Sequence, residues 1–157
     1  MSAEKSARKK VAIVQSNYIP WKGYFDLIHA VDEFILYDDV QYTKRDWRNR
    51  NLIKTQAGLQ WLSIPIEVKG NRFQAVKDAR VSAPNWGEKH WNSLTAAYGR
   101  APYFREYKSI FEDLYRGPSP EMLSEVNFRF IRTICSILGI HTRIRFSMDY
   151  DFARGDK

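Results

Sequence analysis

The sequence predicts an α/β protein: a parallel-sheet core, an inserted β-hairpin and a helical second half. Three observations predict it. Two short apolar runs flank one amphipathic helical segment near the start, and both end in polar residues. A second apolar stretch after residue 51 is broken by a glycine-containing turn. Beyond residue 84 the periodicity becomes helical and is punctuated by proline and glycine.

Val11 to Gln15 (VAIVQ) is a β-branched run that reads as a buried strand. Ser16 to Lys22 follows as a loop. Gly23 to Val31 puts Tyr24, Leu27, Ile28 and Val31 on one helical face. Glu33 to Tyr37 is the second strand, running into Asp38 and Asp39. Strand, helix and strand make a βαβ unit, the seed of a Rossmann-like core, whose strands run parallel. Ligands of such sheets bind beyond the carboxyl ends of the strands, where both polar loops emerge. Leu52 to Thr55 and Leu59 to Val68 read as a hairpin around Gly58, with Pro65 at an edge or bulge. A helix follows Pro84 or Asn85 and ends at Gly99. Pro102 opens a second helix through Tyr115. Ser119 as N-cap and Pro120 at the first helical position open a third. Its core stripe is Leu123, Val126, Phe130, Ile134, Cys135 and Leu138, and Gly139 stops it. Ile140 to Phe146 is a last strand.

Length and composition bound the rest. The 157 residues make one domain, residues 11–157, preceded by a basic start (1–10) read as disordered. Four cations and one Glu in that start supply part of the net charge of +7. Phosphates on a small ligand account for the remaining excess as well as a polynucleotide would. The start has no apolar core, so it is no signal peptide, and no apolar run reaches membrane-spanning length. A single cysteine, Cys135, excludes a disulfide framework and a cysteine-ligated zinc site within one chain. A cytoplasmic protein is the default. No spacing of histidine and carboxylate suits a metal, and no Gly-x-Ser-x-Gly elbow occurs.

Two stretches carry candidate chemistry. In Gln15 to Phe25 (QSNYIPWKGYF), Gly23 at the helix opening lets backbone approach a ligand. Trp21-Lys22-Gly23-Tyr24 also stands where nucleotidyltransferase folds carry His-x-Gly-His, with aromatics replacing the histidines. The alternative is a packed turn around Pro20 and Trp21. In Asp38 to Asn51 (DDVQYTKRDWRNRN), Lys44, Arg45, Arg48 and Arg50 can clamp phosphate, and Tyr42 and Trp47 can stack on a base or sugar. Neighbouring Asp38 and Asp39 point opposite ways, so at most one faces a ligand. The competing reading is a solvated loop with self-compensating charge. Of the three histidines, His90 is the best proton-transfer candidate, because its helix is polar and aromatic.

These residues resemble the WbqC-like protein family. The resemblance rests on VQSNYIPWKGYFDLI, DDVQYTKRDWRNRNLIK and WLSIPI, supported by KHW…AYGRAPYF and LGIHTRI, and covers residues 11 to 147. It implies a setting in surface-polysaccharide and O-antigen synthesis. With it comes a transferase on a nucleotide-activated amino sugar, through acyl or aminoacyl transfer. Matching motif positions are Gln15, Tyr18, Pro20, Trp21, Gly23, Tyr24, Asp39, Gln41, Tyr42, Lys44, Trp47, Asn49, Arg50, Asn51 and Lys54. Arg50, Lys44 and Lys54 would hold phosphate, and Asp39 would orient or deprotonate the acceptor. Gln15, Tyr24 and Asn51 would complete the pocket. No metal or named cofactor is implied. Two departures stand out. Val14-Gln15-Ser16 replaces the His-Gln-Pro that opens many members' first motif. Members also continue several tens of residues further, so a C-terminally shortened domain is expected. A non-catalytic nucleotide-sugar binder and a nucleic-acid binder are the competing functions.

Overall fold

The computed structural model describes residues 8–68, 70 and 73–151. Strands β1 (Val11–Val14), β2 (Glu33–Leu36) and β5 (Arg143–Phe146) form an all-parallel sheet in the order β1-β2-β5. The registers run Val11 to Glu33 through Val14 to Leu36, and Glu33 to Arg143 through Leu36 to Phe146. Helix α1 (Lys22–His29) makes the first crossover and buries Tyr24, Phe25 and Ile28. These pack with Phe34 and Leu36 of β2 and with Ile131 and Cys135 of helix α4 (Leu123–Ile137). Strands β3 (Arg50–Thr55) and β4 (Gly58–Ser63) form the antiparallel hairpin, with Gly58 at φ 113° closing its turn. Helices α2 (Trp86–Tyr98) and α3 (Phe104–Arg116) pack with this hairpin and α4 around a second, larger core. The mixed α/β class and four helices stand as read.

The boundaries differ from expectation where tertiary pairing outweighs local signals. The α4 helix begins at Leu123, not at Ser119 or Pro120. Residues 121–123 are held extended, because Val81 N–H donates to the Glu121 carbonyl and Leu123 N–H to that of Ala79, both at 2.8 Å. The Ser119 hydroxyl reaches only the Pro120 carbonyl. Pro102 does not open α3. It sits in a turn closed by Phe104 N–H to the Ala101 carbonyl at 3.1 Å, a position that suits its fixed φ. The hairpin ends at Ser63 rather than Val68. Beyond it the chain pairs with residues 80–82, and Ser82 N–H donates to the Pro65 carbonyl. Leu138 is an exposed cap residue, not core. Strand β1 is covered on one face only, with Val11 and Ile13 exposed and Ala12 and Val14 partly buried against the cluster that α1 and α4 share. Of the basic start, residues 1–7 lie outside the described residues. Lys9 pairs with Glu33, and Lys10 N–H donates to Asp32 at 2.7 Å.

One contact between α2 and α3 gives a sharp expectation. A Cβ added to Gly87 would lie 2.0 Å from the Tyr115 carbonyl oxygen, a backbone atom inside α3. Gly87→Ala therefore forces the helices apart and costs about 1–3 kcal/mol, the usual range for overpacking. A fall in the urea midpoint checks this. An unchanged midpoint would mean that the helices are not in this contact.

Candidate functional site at the carboxyl edge of the parallel sheet

The two acidic residues after β2 stand in a turn and divide their work. Asp38 is fully buried. Its carboxylate accepts the Ser16 N–H at 2.8 Å and the Ser124 hydroxyl. Its carbonyl accepts Lys77 N–H at 3.0 Å. It thus joins the loop after β1, helix α4 and the short 3-10 turn Val76–Asp78. Asp39 is half-buried, meets the Lys77 ammonium at 2.6 Å and accepts the Ser147 hydroxyl from the end of β5. All three strand ends therefore converge here.

Across from Asp39, the loop after β1 grips the second motif. Arg48 donates to Asn17 Oδ1 at 2.7 Å and to Gln15 Oε1. The Tyr24 hydroxyl donates to the Gln15 carbonyl at 3.0 Å. Burial, then the Asp38 carboxylate, pushes that hydroxyl far above the usual tyrosine range, against the opposing pull of Arg48. The fully buried Asn127 of α4 donates to Ser16 Oγ at 3.0 Å and to the Arg48 carbonyl at 2.9 Å, tying both loops to the helix.

The motif itself is a tight turn. Asp46 accepts the Thr43 hydroxyl at 2.6 Å and the Trp47 N–H at 2.7 Å, and its oxygen lies 3.8 Å from Arg48. Burial opposes ionisation of Asp46, but these donors together with Arg48 and Arg50 hold its carboxyl below the ordinary value. Arg50 lies over the Trp61 ring at 3.9 Å, and Trp47 is 5.6 Å from Trp61, an aromatic platform that is half open to solvent. Among the described residues, buried side-chain atoms without a hydrogen-bond partner include Arg48 Nε, Arg50 Nε, Asn49 Oδ1 and Asn127 Oδ1. Buried polar atoms are rarely left so.

The remaining expected residues spread over three settings. Trp21 is exposed, and its ring covers the space a Cβ on Gly23 would take. Gln41 and Lys44 are exposed. Tyr42 is buried, and its backbone N–H bonds the Gln74 carbonyl at 2.8 Å. Burial and then Asp46 raise its hydroxyl, with Arg50 opposing. Asn49 anchors the hairpin through the Ile64 carbonyl at 2.8 Å. Asn51 Nδ2 holds the carbonyls of Tyr18 and Ile19, fixing Ile19 at φ 45°, which β-branched residues rarely adopt. Lys54 lies further along β3, where its backbone N–H meets the Tyr98 hydroxyl at 2.9 Å. The residues not anticipated as partners are Asn17, Asp38, Lys77, Ser124, Asn127, Ser147 and Trp61. The one signal for Ser124 and Asn127 is their spacing with Ile131, which continues an apolar stripe into polar residues.

Tyr18 and His90 form a separate buried relay. The imidazole Nε2 lies 3.2 Å from the Ser63 carbonyl, which can only accept, so Nε2 carries the proton. Nδ1 then accepts the Tyr18 hydroxyl at 2.9 Å, and Tyr18 accepts that of Tyr115 at 2.7 Å. Burial lowers the His90 pKa to about 4, with the Ser63 contact opposing. The folded protein thus binds this proton less readily than the unfolded chain. Stability is full above pH 6.5 and falls as pH drops toward 4, by about 3 kcal/mol at the end of that window. Urea unfolding at several pH values should show this loss, and His90→Gln, which keeps one donor and one acceptor, should flatten it. An unchanged slope in the variant would assign the pH dependence elsewhere.

Among the described residues, no group of three or more His, Cys, Asp or Glu is placed to hold a metal, and no helix is long and apolar enough to cross a membrane. No solved structure matched the chain. An uncharacterized protein of Mycobacterium tuberculosis, Rv1507c, is 52% identical over 147 residues, covering 94% of this chain and 64% of that protein. The profile of the WbqC-like protein family matches residues 15–157, which takes in both motifs and every residue of the site just described. On that match, the chain belongs to the WbqC-like protein family.

Proposed function

We propose that the chain binds a nucleotide-activated amino sugar at the carboxyl edge of the parallel sheet and serves as a transferase of an acyl or aminoacyl group to it. The observation that carries the reading is the Arg48–Arg50 pair: Arg48 lies 3.8 Å from the Asp46 carboxylate, Arg50 stands over the Trp61 ring, and both cations act on that one carboxylate. One carboxylate cannot neutralise two cations, and a phosphate supplies the missing negative charge. Trp47 and Trp61 offer their half-exposed rings to the base or sugar, whereas Tyr42, being buried, supports the loop. Asp39, held by Lys77 and Ser147, orients the acceptor amine. Tyr24 fixes Gln15, and His90 positions the loop through Tyr18. A cytoplasmic, surface-polysaccharide setting belongs to the same reading.

Calorimetry and thermal shift against a panel of sugar nucleotides test it. Saturable 1:1 binding with little salt dependence is expected, and incubation with acyl donors should yield a sugar nucleotide of increased mass. Silence across the panel would overturn the reading. Binding to polynucleotide that weakens steeply with salt would replace it with a nucleic-acid function.

A further inference from the structure

A second concave site lies away from the polar edge. Between α2 and α3 a groove of about 400 Å³ is walled by Ile19, Trp91, Tyr98, Tyr103, Phe111 and Lys108, among others. Its floor is rigid: the buried Trp91 ring stacks on Phe104 at 5.8 Å and on Tyr115 at 5.9 Å. One wall is pinned to β3, since the Tyr98 hydroxyl accepts the Lys54 N–H. Another is Ile19 itself, held in its left-handed conformation by Asn51. Strain of this kind persists only where the surroundings enforce it, and here it lets the loop after β1 line the groove.

We propose that this groove is a binding site for a small amphipathic monoanion, an acyl or arylalkyl group carrying one carboxylate. Its volume falls in the range of about 300–1,000 Å³ typical of small-molecule sites. Its lining is aromatic and aliphatic, which suits an apolar body. Charge complementarity fixes the head. Lys108 is the only charged residue among those lining the groove: its stem forms part of the apolar wall, its ammonium stands at the rim, and no carboxylate lines the groove with it. The nearest anion on its helix, Glu112, turns Oε2 toward the ammonium at 4.0 Å, while its Oε1 accepts from Arg116 at 2.7 Å and from Trp91 Nε1 at 3.2 Å. So distant and exposed a pair leaves Lys108 able to receive a ligand carboxylate. The site stands on its own geometry. Only the further step, that its occupant is the acyl donor for the sheet-edge site, rests on the function proposed above.

The test titrates the 157-residue chain with 4-phenylbutyrate, decanoate and the neutral 4-phenylbutanol, following the methyl signals of Ile19 and Leu94. Both carboxylates should saturate at 1:1 with shifts at these two methyls. Ala101→Trp fills the groove from an exposed lining position and should abolish binding. Lys108→Glu should weaken 4-phenylbutyrate at least about three-fold and leave 4-phenylbutanol unchanged, the modest effect of a half-exposed cation. Lack of saturation, shifts confined to other residues, or undiminished binding in Ala101→Trp would each overturn the proposal. So would methyl shifts that depend on protein concentration alone, which would assign the groove to a second copy. Sugar nucleotides titrated into the same sample report separately on the sheet edge, so either site can fail without the other.

Discussion

Asp38→Ala should lower folding stability by about 2–4 kcal/mol, because two buried donors lose their acceptor at once. The Ser16 N–H and the Ser124 hydroxyl both end on this carboxylate, which has no access to water. The small void left by the side chain is too enclosed to rehydrate them freely. Asp38→Asn should cost less, since the amide oxygen can still accept the Ser16 N–H while its NH2 group donates to the Ser124 hydroxyl oxygen, turning that bond round. Urea unfolding of the three proteins checks this through ordered midpoints with a common slope. Equal midpoints for the alanine and asparagine variants would show that the two donors find other partners. Loss of this residue should also loosen Gln15 to Asn17, and with them the grip on Arg48.

Arg48→Ala should weaken sugar-nucleotide binding by about 10- to 100-fold, the range for removing one charge-assisted hydrogen-bonding group. The loss should appear in affinity with little change in stability. Gln15 and Asn17, the partners left behind, are both only partly buried and can turn to water. Arg48→Lys is the informative control. It restores the charge but not the planar fork that bonds Gln15 and Asn17 together, so it should recover only part of the affinity. Isothermal titration at matched ionic strength gives the comparison. Full recovery with lysine would reduce the role of Arg48 to charge alone. Unaltered binding in Arg48→Ala would remove it from the site.

How far this was legible beforehand depends on how local the governing contacts are. The βαβ unit was readable because its signals are local: β-branched runs, one apolar helical face and polar residues at both strand ends. Those same ends located the edge where Gln15 meets Arg48 and Asp39 meets Ser147. The start of α4 was misread because Ser119-Pro120 is a sound local cap signal, overridden by extended pairing with residues 79–81, forty residues earlier. In the sequence, Lys44 and Arg45 carry the same charge signal as Arg48 and Arg50. Nothing in composition separates a cation held under a loop from one in solvent, and Lys44 turned out exposed. The supporting shell is nearly silent for the same reason, apart from the spacing of Ser124 and Asn127 with Ile131. Ser124, Asn127 and Ser147 are unremarkable residues whose partners lie in other elements.

Those distant partners also set an order of assembly. The bond from Asn127 to Ser16 spans 111 residues, and that from Ser124 to Asp38 spans 86. Closing loops of that length is slow and must follow formation of the local units. Both motifs are complete in the chain by residue 51, long before the helix that locks them has been made. A chain still emerging from the ribosome would carry the whole signature without its geometry, so competence should appear only after α4 docks, in one late step.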